Sequence, residues 1–147
     1  MSRVVFLDFD GVLVPIPANG EYDEDAKPSA EAIKNLNIVT QLAGAAVVVS
    51  SSWRLLSTVA QLTKVLRSWG YTGQVRDKTP ANLGYDRGAE VAEWLSKHPD
   101  VSTFVILDDD PTDFQELAKN LVLVKPDVGL QFHDAVEAIR ILNGEGV

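Results

Sequence analysis

Two clusters of acidic residues stand where apolar runs stop. Val4-Val5-Phe6-Leu7 leads into Asp8-Phe9-Asp10-Gly11, and Phe104-Val105-Ile106-Leu107 leads into Asp108-Asp109-Asp110. Carboxylates gathered at strand ends repel one another, and a cation relieves that repulsion. If the two strands are parallel neighbours, both clusters meet at one edge of one sheet and form a cup of oxygen ligands for a hard divalent ion such as Mg²⁺. Asp8 is the first polar residue off its strand and the natural nucleophile, because a carboxylate can attack phosphorus and form an acyl phosphate that water later hydrolyses. From two residues on, Asp10 can give a proton to the leaving oxygen and take one from the attacking water. Gly11 allows the sharp turn that brings backbone near a phosphate. Alone, Asp-x-Asp-Gly reads equally well as a strand-end turn.

The other apolar runs end in residues with complementary chemistry. Val49 precedes Ser50, and Val124 precedes Lys125. Ser50-Ser51-Ser52-Trp53-Arg54 opens a helical pattern, and hydroxyls with free backbone N–H groups at a helix start make a cradle for phosphate. Ser50 is the candidate catalytic hydroxyl. Ser51 and Ser52 are natural caps, with Ser51 bordering the same phosphate position, and Arg54 can add a forked contact to anionic oxygens. Trp53 could stack on a base or sugar, but its place in the first turn of an amphipathic stretch favours the core. Phosphoryl transfer also needs a side-chain cation. Arg87 is the first choice because it starts the helix feeding the strand that ends at Asp108; Lys78 is the reserve and Lys125 a third option. Asp108, Asp109 and Asp113 complete the acidic set, whereas Asp110 before Pro111-Thr112 reads as a helix cap.

These residues need a scaffold that brings distant strand ends together, and the hydrophobic pattern supplies one. Strands are expected near 3–7, 45–49, 74–76, 103–107 and 120–124, with helices over 29–43, 54–69, 87–97, 112–119 and 133–142. Pro28-Ser29 caps the first helix and Gly44 ends it; Gly70 ends the second. Strand-helix alternation with long crossovers specifies an α/β fold: a doubly wound, Rossmann-like, parallel five-stranded sheet with helices on both faces. The long irregular stretch 11–28 follows the first acidic cluster and is placed to lean over the site as a flap.

Length and composition set bounds. At 147 residues and 46% hydrophobic, the chain is expected to be a single domain over 1–147. It has no cysteine, which removes disulfides and thiolate metal sites. No apolar run approaches the roughly 20 residues of a membrane span, so a cytoplasmic protein with no membrane partner is expected. A net charge of −8 argues against a broadly basic nucleic-acid face, although a local groove around Arg54, Lys78 and Arg87 could still be positive.

The same residues resemble the haloacid dehalogenase (HAD) superfamily of phosphohydrolases. Asp8-Phe9-Asp10-Gly11-Val12-Leu13 resembles its motif I, Ser50 after Val47-Val48-Val49 its motif II, Arg87 or Lys78 its motif III, and Asp108-Asp109 with Asp113 its motif IV. Ser-Ser-Ser-Trp-Arg, Arg87-Gly88 and Ile106-Leu107-Asp108-Asp109-Asp110 are similar to the HAD-type domains of "Swiss army knife" RNA repair proteins. The resemblance implies a phosphatase working through an aspartyl-phosphate intermediate. Asp8 attacks, Asp10 acts as acid then base, and Ser50 with the motif III cation holds the phosphoryl oxygens. It also implies Mg²⁺ bound by Asp8, the Asp10 carbonyl, Asp108 and Asp109. Arginine stands where many relatives carry lysine at motif III, which leaves the choice between Arg87 and Lys78 open. Many relatives also carry a cap domain; here the intervals are already filled by helices, so the chain reads as capless. An open site fits a small phosphate ester, a nucleotide or nucleic-acid phosphate end or a phosphoprotein, or a site closed by a second subunit of a homo-oligomer.

Two rival readings exist. A phospho-signalling receiver shares strand-end acids and a Lys-Pro pair, seen here at Lys125-Pro126, but needs its hydroxyl strand end after the phosphorylated aspartate and before the lysine. Here Ser50 comes earlier, and residues 114–124 offer no Ser or Thr. A catalytically silent binding module would lack a key residue, and none is missing.

Overall fold

Four apolar runs and one largely polar stretch, Val75-Arg76-Asp77-Lys78, form strands: β1 (Ser2–Leu7), β2 (Ala45–Val49), β3 (Val75–Lys78), β4 (Val101–Asp108) and β5 (Leu121–Leu123). The computed structural model describes residues 2–20, 25–81 and 86–145. The strands make one sheet in the order β3-β2-β1-β4-β5, with every pairing parallel. Central β1 and the β2 and β4 ends beside it are buried apolar runs, as strands covered on both faces must be. Leu7 pairs with Val49 on one side and Leu107 on the other. Asp8, Ser50 and Asp108 therefore leave the sheet at the same level, which is the geometric basis of the site.

Side chains alternate across the strands and create two cores. Val5 and Leu7 pack with Leu36 of α1 (Ala30–Ala43), Leu62 and Leu66 of α2 (Val59–Trp69), and Ala138 and Leu142 of α4 (Phe132–Leu142). Val4 and Phe6 face the other way, onto Val91 and Trp94 of α3 (Arg87–Ser96) and onto Phe114. Each fully buried Leu, Val or Phe contributes roughly 1.5–3 kcal/mol, so β1, buried on both faces, holds the acidic cluster on the best-anchored strand. Among the described residues no second unit is inserted to form a cap.

The structure corrects several expected boundaries. The helix expected over 54–69 begins at Val59, because the Thr58 hydroxyl accepts from Gln61 N and the Gln61 side chain accepts from Thr58 N, a reciprocal cap that fixes the start. Residues Ser52–Leu55 form a 3₁₀ turn instead, capped by Ser51, and Leu55 and Leu56 are exposed rather than core. The expected short helix over 112–119 is also 3₁₀, spanning Thr112–Asn120 with non-helical backbone at Phe114 and Leu117. The middle strand runs over 75–78 rather than 74–76, which puts Lys78 at its end.

The stretch expected as a flap is fastened at its root. The Phe9 carbonyl accepts N–H bonds from Val12, Leu13 and Val14, and Val12 and Leu13 are fully buried. Leu130 N donates to the Val12 carbonyl, and Ile16 N donates to that of Pro126. Residues 17–20 are exposed; Glu21, Tyr22, Asp23 and Glu24 lie outside the described residues. No helix among the described residues is long and apolar enough to cross a membrane.

Candidate active site

The C-terminal ends of β1 and β4 deliver the two acidic clusters to one place. Asp8, Asp108 and Asp109 each offer a carboxylate oxygen, and these oxygens lie within 4.8 Å of one another. Asp8 and Asp108 are buried. Burial pushes the Asp8 carboxyl up to about 8; Arg87 pulls it back, while Asp108 and Asp109 push it further. Burial likewise raises Asp108 to about 7, against the pull of Arg87 and of the Asp110 N–H. Three crowded acids, two of them held above the usual carboxylate range, are an unfavourable arrangement unless positive charge is shared among them.

Part of that charge comes from Arg87, the first residue of α3. Its Nη2 lies 2.7 Å from Asp108 Oδ2 and 3.4 Å from Asp8 Oδ1, and donates to the Ser50 carbonyl at 2.8 Å. The helix start that carries it is held from both sides. Asp86 caps it through Ala89 N, and Asp113 Oδ2 accepts from Arg87 N at 3.1 Å. Gly88 is required there, since a Cβ would press into the Asp113 carbonyl, only 3.1 Å from its carbon. Asp113 thus braces the arginine instead of joining the carboxylate cup. Lys78 goes elsewhere: its Nζ donates to the carbonyls of Arg54 and Ser57 at 3.1 and 3.0 Å. Lys125 is exposed on the turn after β5. Of the three candidate cations, Arg87 is the one that touches the aspartates.

One oxygen in the cup, Asp108 Oδ2, has the Arg87 guanidinium as its partner, 2.7 Å away, and its sister Oδ1 accepts from Asp110 N at 3.1 Å. An all-oxygen set of three carboxylates, two of them buried and sharing a single arginine, fits a hard divalent cation. Gly11 completes the packing. Its φ is +84°, and a Cβ there would lie 2.6 Å from Asp109 Cγ, so only glycine lets the Asp10 turn close over Asp109.

Asp10 stands at the rim, where its Oδ2 accepts from Trp53 Nε1 at 3.0 Å. Ser50 is buried, with its N–H on the Leu7 carbonyl. Ser51 acts as the expected cap, its Oγ accepting from Trp53 N. Asp110 also caps, accepting from Thr112 N at 2.9 Å. A cleft of about 290 Å³ is lined by Asp8, Asp10, Asp109 and Arg87, with Ile16 and Leu55 among its apolar residues.

Arg54 lines this cleft but spends its guanidinium on the protein. Nε donates to the Thr79 carbonyl, Nη1 to that of Ser51, and Nη2 to Glu90 Oε1 at 2.6 Å. The donors expected to fork onto anionic substrate oxygens are divided between Glu90 and two backbone carbonyls, and the Arg54–Glu90 pair ties the 52–55 turn to α3 beside Arg87. Both partners are buried. Glu90→Ala would leave Arg54 buried without a counter-charge, at an expected cost of about 3 kcal/mol. Urea unfolding reads this directly, and an unchanged midpoint would show that the pair is no strut.

Sequence reasoning missed Glu90 and the Trp53–Asp10 bond. Glu90 was detectable as a charge beside Val91 and one turn before Trp94, on a flank that has to be buried. No local signal pairs Trp53 with Asp10, which are 43 residues apart. A family model described as the HAD domain in Swiss Army Knife RNA repair proteins matches residues 4–135. No curated protein matches the chain.

Proposed function

The chain belongs to the HAD domains of Swiss Army Knife RNA repair proteins, and from that premise we propose that it is a Mg²⁺-dependent phosphatase acting through an aspartyl phosphate on Asp8. The observation that carries the reading is the meeting of Asp8, Asp108 and Asp109 within 4.8 Å beside Arg87. In the first step an Asp8 oxygen bonds to phosphorus while the bond from phosphorus to the leaving oxygen breaks. The electron pair goes to that oxygen, which takes a proton from Asp10. In the second step water attacks phosphorus and gives a proton to Asp10. The bond to Asp8 breaks, releasing inorganic phosphate and the free carboxylate.

Asp8, the Asp10 carbonyl, Asp108 and Asp109 would hold Mg²⁺. When bound, the ion supplies positive charge that favours ionised Asp8 and offsets the phosphoryl oxygens. Arg87 adds a fixed cation, and Ser50 offers its hydroxyl to the same oxygens. Ser51 keeps its capping role and Lys78 its grip on the 54–57 backbone. The cleft is lined in part by exposed Leu55, and Trp53, 36% exposed, meets its rim at Asp10. That supports a phosphomonoester whose remainder projects outward: a nucleotide or nucleic-acid phosphate end, in keeping with the family's description, or a small phosphate ester. We place the activity in the cytoplasm and in a single domain.

The test is hydrolysis of p-nitrophenyl phosphate with Mg²⁺, run on Arg87→Ala beside Lys78→Ala. Loss of Arg87 is expected to cost about 10²-fold or more in kcat, and loss of Lys78 much less. The reverse order would move the cationic role to Lys78. Absence of any Mg²⁺-dependent turnover across nucleotides, sugar phosphates and 3′-phosphorylated oligonucleotides would overturn the phosphatase reading.

A further inference from the structure

The indole of Trp53 does two different things at once. Its ring packs edge-on against Phe9 and Trp69, with centroids 5.3 and 5.5 Å away, while its Nε1–H reaches out of that cluster to Asp10 Oδ2. Packing explains the ring but not the N–H, since a phenylalanine would fill the apolar contact without a donor. Trp53 is also 36% exposed, so its polar tip had water available and is aimed at the carboxylate instead.

We propose that Trp53 is a positioning residue for Asp10: its indole N–H occupies Oδ2 and so presents Oδ1 to the leaving-group oxygen. The proposal rests on the reading of Asp10 as the residue that transfers the proton. Indole is a donor only. Whatever the state of the carboxyl, the oxygen facing Nε1 is an acceptor, and because a carbonyl oxygen accepts better than a hydroxyl, the proton that Asp10 passes on is favoured on Oδ1. A carboxyl held by one oxygen has a single productive orientation; a free one samples others and loses part of its advantage.

The arm that carries the indole is stiff. Phe9, which buttresses the ring, is fully buried and adjacent to Asp10 in sequence, so ring and carboxylate share one anchor. On the other side, Ser51 Oγ accepts from Trp53 N. Arg54, the next residue, is pinned by Glu90, Ser51 and Thr79, and Lys78 ties down the carbonyls of Arg54 and Ser57. Arg54 and Lys78, which stay out of the carboxylate cup, thereby acquire a purpose, because they fix the turn from which the indole reaches Asp10.

The experiment uses Trp53→Phe, which keeps an aromatic ring and removes the N–H. kcat/KM, which covers steps up to formation of the phosphoenzyme, is compared for p-nitrophenyl phosphate, whose leaving group departs without a proton, and for an alkyl phosphate, whose leaving group needs one. The loss is expected to be at least ~10-fold greater for the alkyl ester. Equal losses on both esters, or none, would reduce Trp53 to packing and overturn the proposal. Asp10→Asn is assayed alongside. If it spares the alkyl ester, the proton-transfer reading fails and takes the proposal with it; if it abolishes turnover while Trp53→Phe shows no ester preference, the Trp53 role alone fails. A readout independent of turnover is the ¹⁵N–¹H signal of the Trp53 indole, assigned by its disappearance in Trp53→Phe. It should move and exchange faster with water in Asp10→Ala, and a signal unmoved by that change would refute the contact.

Discussion

Asp8→Asn is expected to lower hydrolysis of p-nitrophenyl phosphate by at least about 10³-fold while leaving the fold intact. The amide matches the carboxylate in shape but cannot form an acyl phosphate, so the loss falls on chemistry. The Phe9 N–H that bonds Asp8 Oδ1 would still find an amide oxygen. Folding should not suffer, because Asp8 sits where burial disfavours its charge and Asp108 and Asp109 add to the strain. Removing a charge from such a place stabilises or is neutral, as is common for residues kept for chemistry. Circular dichroism melts separate the two effects. Residual activity within tenfold of the parent would show that another group attacks phosphorus.

The second large effect links pH, cation and stability. The folded-state values of Asp8 and Asp108, about 8 and about 7, lie above the ordinary 3.8. Between these limits the folded protein holds protons that the unfolded chain has released. The number bound is larger in the native state, so stability falls as pH rises from about 4 toward 8 in the absence of a divalent cation. Mg²⁺ replaces those protons and reverses the trend. At a hundredfold excess over Kd it adds about 2.7 kcal/mol, a rise in Tm of roughly 5–10 °C for a chain of this size. The rise is expected at pH 8 and should shrink toward pH 5. Asp108→Asn should remove most of it and flatten the slope, since it neutralises the most deeply buried acid of the cup. Identical melting with and without Mg²⁺ at pH 8, or stability that climbs with pH in chelator, would contradict the shared-charge account of the cup.

Much of this arrangement is legible in the sequence because its signals are short-range and strong. Val4 to Leu7 and Val105 to Leu107 read as buried strands, and the acids that end them meet at one sheet edge if the two strands are parallel neighbours, as β1 and β4 are. Ser29 and Gly44 mark the ends of α1 by cap chemistry alone, and Arg87 is the first choice of cation from its place at the head of the helix before β4, with Lys78 left open beside it. Reading fails where long-range contacts decide. The apolar look of Leu55 and Leu56 extends a helix that Thr58 and Gln61 actually start later. Arg54 reads as a phosphate ligand because nothing nearby in sequence reveals Glu90, and Asp113 reads as one more member of the acidic set until its carboxylate is seen on the N–H of Arg87. The irregular stretch after Asp10 reads as a flap, yet Val12 and Leu13 turn inward and fasten its first residues.

The most direct measurement is chemical capture of the intermediate. The protein is mixed with Mg²⁺ and a phosphomonoester, quenched in acid during turnover and treated with borohydride, which reduces an aspartyl phosphate to homoserine while leaving free carboxylates untouched. Peptide mass spectrometry then locates the modified residue. Homoserine at position 8, dependent on Mg²⁺ and missing from Asp8→Asn, is the expected result. Turnover that proceeds with residue 8 unmodified, or with the adduct on Asp10, Asp108 or Ser50, would contradict the account at its centre.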